Sequence, residues 1–195
     1  MRQRRTRSTI ALFAVPIATA LVIGLGALRI PTPAPEDAVT MSADLSTRKL
    51  TVMRGGEVIQ EYDVAVGKPQ YPTPRGTFNV QKIVWNPKWV PPDSKWAKGK
   101  KPAAPGSARN PMKLVKIFFQ EPDYYIHGTD DIDSLGEADS HGCLRMDPND
   151  AGDLALLLMD NAGVSRDWDW VKGILHLGSQ HVVSLATPAP LTITG

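Results

Sequence analysis

The residue pattern predicts a mainly β domain of the α+β class, with one helix placed after the chain's only cysteine, Cys143. Three observations carry this. Apolar and polar residues alternate in short runs between Val39 and Val84, the two-residue period of half-buried strands. Gly55-Gly56 parts two of these runs, and adjacent glycines accept positive φ at little cost, as a tight hairpin requires. One stretch alone, opening at Asp147-Pro148, combines helical spacing with both start and stop signals.

The chain opens with Arg2, Arg4, Arg5 and Arg7, followed by an uncharged, mostly apolar run from Ser8 to Leu28 and then Arg29. Residues 1–30 read as a signal peptide or membrane anchor. About twenty apolar residues suffice to span a bilayer. Ala18-Thr19-Ala20 is a poor cleavage site inside the run, so an uncleaved anchor is the favoured reading. Residues 31–38, with Pro31, Pro33 and Pro35, read as a semi-rigid linker, which leaves 39–195 for the folded domain. A formal charge of +2, with 42% hydrophobic and 22% charged residues, describes a globular protein without a charge argument for nucleic acid.

Strands are expected over Val39–Ala43, Lys49–Met53, Glu57–Val66 and Thr77–Val84, together a β-meander. Regular structure then stops. Between Asn86 and Pro111, Pro87, Pro91, Pro92, Pro102, Pro105 and Pro111 remove donors and fix φ. A loop of this length in a compact domain more often covers or binds than merely connects. Leu114–Phe119 and Tyr124–His127 read as two further strands, placing His127 at a strand end. Gly128–Ser140 is an acidic, turn-rich loop, whose charges are read first as a solvated face. Asp147 caps the helix, Pro148 takes its first position, and Ala151, Leu154, Ala155 and Leu158 form its apolar stripe up to the stop at Gly163. Arg166–Leu177 could hold a second, shorter helix, with Trp168 and Trp170 read as core and His176 and His181 as structural or exposed. Val182–Leu185 and Leu191–Thr194 read as closing strands.

The chemistry concentrates around Cys143. Ser140-His141-Gly142-Cys143-Leu144-Arg145-Met146 follows a second histidine, His127, in the run Tyr124-Tyr125-Ile126-His127-Gly128-Thr129. A lone cysteine in an exported chain cannot close an internal disulfide, so it is inert, intermolecular or a working thiol. A zinc site is disfavoured, because there is no second cysteine and His-x-Cys is not a usual ligand pair, so no metal or other cofactor is expected. Nucleophilic catalysis fits the residue types best. A thiol needs a base or a cation beside it, and a histidine can take that proton and return it to a leaving amine. Gly142 lets its own and the Cys143 amide approach a developing oxyanion, and Arg145 could hold a substrate carboxylate. Spacing alone does not choose between His127 and His141 as the base.

The two-part motif, His127-Gly128-Thr129 followed by Ser140-His141-Gly142-Cys143-Leu144-Arg145-Met146, resembles the signature of the L,D-transpeptidase catalytic domain family, also called YkuD-like. The resemblance runs from about Val39 to Thr194. Pro72-Thr73-Pro74-Arg75-Gly76-Thr77-Phe78 is similar to the family's Thr-Pro-x-Gly strand entry, and Trp89-Val90-Pro91-Pro92 to its substrate-side loop. Asn110 to Lys116 resembles larger members, which usually carry glycine where Lys113 stands.

The resemblance implies a β-sandwich or barrel-like domain and two-step acyl transfer on bacterial peptidoglycan, outside the cytoplasm on the periplasmic or wall side of the inner membrane. It implies Cys143 as nucleophile and His127 as base and acid, oriented by the Gly128 carbonyl. Gly142, His141 and Ser140 become oxyanion or supporting residues, and Arg145 and Trp89 substrate contacts. A thioester formed on a stem tetrapeptide with loss of D-alanine would pass to an amine of another stem, giving a 3→3 cross-link. Carbapenem-type inhibitors are candidate ligands. A carboxypeptidase or endopeptidase running the same thioester to water, and a wall-binding module without catalysis, are the alternatives.

Overall fold

The computed structural model describes residues 37–195. The expected signal or anchor, and all but the last two residues of the expected linker, lie outside them. The described chain forms ten strands: β1 Val39–Asp44, β2 Lys49–Arg54, β3 Glu57–Asp63, β4 Val66–Gly67, β5 Gly76–Trp85, β6 Val115–Gln120, β7 Tyr124–Gly128, β8 Ala138–Ser140, β9 Leu144–Met146 and β10 His181–Thr194. Two helices, α1 Pro148–Asn161 and α2 Trp168–His176, stand between β9 and β10.

Eight strands make one mixed sheet in the order β3-β2-β1-β10-β5-β6-β7-β9, and β4 pairs β8 apart from it. Ala65, just after β3, exchanges two 3.0 Å backbone hydrogen bonds with Arg145 of β9, so the two edges of the large sheet are nearly joined. The expected meander from Val39 to Val84 is therefore corrected. β10 enters between β1 and β5, parallel to the first and antiparallel to the second. Ala189, Leu191 and Ile193 of β10 are almost wholly buried, and a strand so apolar is best placed where both its edges are paired. The two closing strands expected at its ends are one strand, with a register break between Ser184 and Ala189 next to Pro188, which has no N–H to give.

β8 and β9, three residues each, went unread because alternation needs a longer run to show. The helix signals translate directly. Asp147 Oδ1 accepts from the amides of Asn149 (2.8 Å) and Asp150 (3.4 Å), and Pro148 opens the helix. The α1 stripe of Ala151, Leu154, Ala155 and Leu158 is fully buried against β6, β7 and β10. The Trp85 indole donates to Met159 Sδ at 3.2 Å, tying β5 to α1. α2 lies within the span read as a second helix; its Trp168 packs on Gly152, where an added Cβ would stand 2.5 Å from the ring. Trp168 and Trp170 are half-buried at the core's rim, while His176 and His181 are exposed.

Candidate active site

The site is a patch of sheet. Strand pairing sets Lys116 opposite His127, and His127 opposite Arg145, so three side chains from β6, β7 and β9 form one row. One step away, Phe118 pairs with Tyr125, and Cys143 stands at the entrance of β9 beside Tyr125. Because side chains alternate between faces, these two rows share the face opposite the buried Ile117, Ile126 and Leu144. They floor a cleft of about 1160 Å³, covered from the side of the proline-rich loop by Trp89 and Trp96.

His127 is 5% exposed. Its Nδ1 lies 2.7 Å from the Gly128 carbonyl, which can only accept, so the proton sits on Nδ1 and Nε2 carries the lone pair. Burial drives its pKa down from 6.5 to about 3, with Arg145 and Lys116 pushing the same way and the carbonyls of Gly128 and Pro111 opposing. The imidazole is neutral at pH 7. Gly128 must lack a side chain, since a Cβ there would come within 2.9 Å of Pro148 Cα at the start of α1.

Burial pushes the Cys143 thiol up to about 11, while the Tyr125 amide and hydroxyl, Lys116 and Arg145 pull it back. The resting group is a thiol, and its Sγ donates to the Asp123 carbonyl at 3.4 Å. A hydroxyl staples the turn before it: Ser140 Oγ donates to the Cys143 carbonyl (2.5 Å) and accepts from the Gly142 amide (3.1 Å). The expectation that the Gly142 N–H faces an oxyanion is thereby corrected. That donor is taken by Ser140, and of the pair the Cys143 amide remains. Gly142 is required for another reason, a φ of 109° and a Cβ position 2.8 Å from the Tyr124 ring.

His141 is held by rings. It stacks on Trp96 with centroids 4.0 Å apart and planes 19° from parallel, and leans on Tyr71 at 4.9 Å. Lys100 Nζ lies over the Trp96 ring, 4.8 Å from its centroid. Tyr71 is placed by the Thr-Pro-x-Gly segment, where Thr73 Oγ1 accepts from the Gly67 amide at 2.9 Å and closes the turn. Burial, then Arg145, Lys68 and Lys100, hold the His141 pKa below its usual value against Asp139.

Part of the acidic loop is less solvated than its composition suggests. Asp139 binds Arg145 Nη1 at 3.3 Å and Lys68 at 2.6 Å, Asp131 lies 3.9 Å from the same Nη1, and Asp130 pairs with Lys113. Arg145 thus enters the cleft with one nitrogen already matched. Trp89 is 7% exposed and exchanges two backbone hydrogen bonds with Ala103, lining the cleft as a fixed wall. Among the described residues no group of three His, Cys, Asp or Glu gathers as metal ligands.

The L,D-transpeptidase catalytic domain model matches residues 39–170. The chain belongs to the L,D-transpeptidase catalytic domain family. A Bacillus licheniformis relative, provisionally named L,D-transpeptidase YkuD, is 27% identical over 125 residues, 64% of this chain and 63% of its own length. L,D-transpeptidase 1 of Mycobacterium tuberculosis is 29% identical over 117 residues, 59% of this chain and 45% of its own. The chain thus spans less than two thirds of either relative. Among solved structures, an L,D-transpeptidase from Mycobacterium smegmatis superposes with a TM-score of 0.52 at 20% identity, over 80% of this chain and 58% of that one. The catalytic domain of the Enterococcus faecium L,D-transpeptidase gives 0.50 at 19% identity, over 80% of this chain and 97% of that one. The mostly β fold with two helices is shared.

The fold of an L,D-transpeptidase domain, an acyltransferase family, brings together every residue singled out in the sequence: Cys143, His127, Gly128, Ser140, His141, Gly142, Arg145 and Trp89. It also adds residues that reading missed. Tyr125 flanks the thiol, Trp96 and Tyr71 clamp His141, and Lys116 shares the His127 row. Lys116 left a faint trace, a cation alternating into an otherwise apolar strand, Val115-Lys116-Ile117-Phe118-Phe119.

Proposed function

We propose that this chain is a cysteine-dependent peptidoglycan L,D-transpeptidase that forms 3→3 cross-links through a Cys143 thioester, with release of D-alanine. The observation that carries this reading is that a protonated Cys143 thiol and a neutral His127, whose Nδ1 is committed to Gly128, lie on adjacent strands on one sheet face within one cleft. Both partners start neutral, so the thiol is deprotonated as it reacts rather than beforehand.

Sγ attacks the carbonyl of the third stem residue while its proton passes to His127 Nε2, and the C–S bond forms. The Cys143 amide stabilises the oxyanion, and the nearby positive charge of Arg145 favours the negative charge building at the reacting centre. Collapse breaks the C–N bond, and the departing D-alanine amine takes the proton from Nε2. An amine of a second stem then attacks the thioester, gives its proton to His127, and the released thiolate recovers it. Peptide-bond energy is kept in the thioester, so no nucleotide is consumed. Ser140 and Gly142 hold the turn, His141 and Trp89 shape the wall, and Arg145 contacts substrate through the nitrogens its carboxylates leave open. We place this reaction outside the cytoplasm, with residues 1–30 as the signal or anchor.

An L,D-transpeptidase 3 from Mycobacterium tuberculosis, TM-score 0.51 at 17% identity over 81% of this chain and 60% of that one, was solved with a faropenem-derived adduct. A β-lactam adduct on Cys143 is the corresponding expectation here. The test is incubation of the purified protein with disaccharide tetrapeptide, followed by mass spectrometry. Dimer formed with loss of D-alanine, absent in Cys143→Ala, is expected. Tripeptide alone would move the assignment to a carboxypeptidase, and no reaction together with no β-lactam adduct to a binding module.

A further inference from the structure

The cations of the cleft are not equivalent. Arg145 is held by Asp139 and Asp131, Lys113 by Asp130 and Lys82 by Glu121, so each of these carries its counter-charge, while Lys88, Lys100 and Arg109 at the rim are exposed to water. Lys116 is half-buried on the cleft floor and has no carboxylate within ion-pair distance among the described residues. Its Nζ rests on the face of Tyr125, 4.6 Å from the ring centroid, and Tyr125 is the residue beside Cys143. A desolvated ammonium supported only by a ring face is an expensive group to keep. Here it faces a cleft large enough for a peptide.

We propose that Lys116 is the receptor for the terminal carboxylate of the acyl donor, a specificity determinant that selects leaving groups which are α-amino acids. The inference rests on the transpeptidase reading and names one of its substrate contacts. Register supplies the geometry. Cys143 stands at the entrance of β9, His127 is one strand over on β7 and one same-face step further along, and Lys116 lies straight across from His127 on β6. Neighbouring strands are spaced about 4.8 Å apart. The scissile carbonyl must meet Sγ, and the departing nitrogen must meet His127 Nε2. The next atoms along the leaving amino acid are its α-carbon and carboxylate, which the His127 row carries across to Lys116. The same placement admits an acceptor whose attacking nitrogen stands α to a carboxylate, because that nucleophile retraces the path of the leaving group.

The charge on Lys116 supports this. Burial pulls its pKa down from 10.5 to about 8, with Cys143 pulling the other way. It is charged at pH 7 and loses charge as pH rises through about 8, so affinity for a carboxylate weakens on that limb.

The test compares the full-length protein with its Lys116→Met and Lys116→Arg variants on two donors, a disaccharide tetrapeptide ending in D-alanine and the same donor ending in D-alaninamide. Wild type should favour the acid, and Lys116→Met should lose about tenfold or more in kcat/KM on the acid. On the amide it should stay within about twofold, and Lys116→Arg should restore the preference. The rise of KM for the acid above pH 8 should vanish in Lys116→Met. Equal losses on both donors, or no loss on either, overturn the proposal.

A second measurement does not need turnover. Cys143 is the chain's single cysteine, so alkylation by iodoacetate and by iodoacetamide reads one site. The iodoacetate-to-iodoacetamide rate ratio should fall about fivefold or more in Lys116→Met, since the anionic reagent alone gains from the cation. An unchanged ratio overturns the anion site. A fallen ratio in a protein that processes neither donor upholds the anion site and overturns the tetrapeptide reading.

Discussion

The floor of the cleft and its cover are made by opposite means, and the two histidines show it. His127 belongs to the floor: its strand is paired on both sides, its ring is buried, and a backbone carbonyl selects its tautomer. His141 belongs with the cover, clamped between Trp96 from the proline-rich loop and Tyr71 from the Gly67–Thr73 turn. Strand register leaves a side chain almost no choice of place, whereas ring stacking across loops holds a group that can still move. Proton transfer tolerates little displacement, and substrate entry requires some, so the proposed reaction assigns chemistry to the floor and access to the cover.

Substitution should separate the two. His127→Ala is expected to lower the acylation rate by about 10²–10⁴-fold, the usual worth of a positioned acid-base group. His141→Ala removes a stack worth about 0.5–1.5 kcal/mol, so about tenfold at most is expected. Single-turnover kinetics on the same donor would break the comparison if the two losses were alike. Gly142→Ala comes next: a left-handed φ and the Tyr124 ring 2.8 Å from the new Cβ should cost about 1–2 kcal/mol from the backbone alone, read as a lower thermal midpoint.

Titration sharpens the contrast further. The folded His127 pKa lies below its unfolded value, so the unfolded chain binds the proton first and stability falls with pH below 6.5 toward about 3. That stability is fully present above 6.5. The raised Cys143 pKa acts on the other side: stability is intact below the thiol's ordinary value of 9.0 and declines toward about 11. Denaturant unfolding from pH 4 to pH 10 should show both limbs, with the acid limb shallower in His127→Ala and the alkaline limb shallower in Cys143→Ala.

The smallest effect is expected in the cover. Lys113 has a φ of 51°, in the left-handed region that favours glycine. Its Nζ donates to the Ala108 carbonyl at 3.1 Å and pairs with Asp130, offsetting the backbone cost. Lys113→Gly should therefore change stability by less than about 1 kcal/mol, since relief at the backbone opposes the lost contacts and the looser unfolded chain. A larger loss in a denaturant titration would make the Asp130 pair a true fastening of the loop.

Much of this molecule was legible before any fold was known. The strands β1, β2, β5, β6 and β7 and the helix α1 announce themselves because their signals are local: a period of two, a glycine pair, a capped and proline-started helix. The residues around Cys143 were legible for the same reason, since Ser140 to Arg145 is one continuous turn and short strand, with His127 a fixed sixteen residues before the thiol. What the sequence could not contain is which strand lies beside which. The insertion of β10 between β1 and β5, the loss of the Gly142 amide to Ser140, the stacking of Trp96 on His141 and the placing of Lys116 beside His127 were decided by the tertiary structure alone. Each depends on the position of groups relative to a partner, most of them far along the chain, and such pairings follow from how the whole sheet buries its apolar face and satisfies its backbone. A lysine in an alternating strand reads the same whether its neighbour across the sheet is a solvent-facing threonine or a buried histidine.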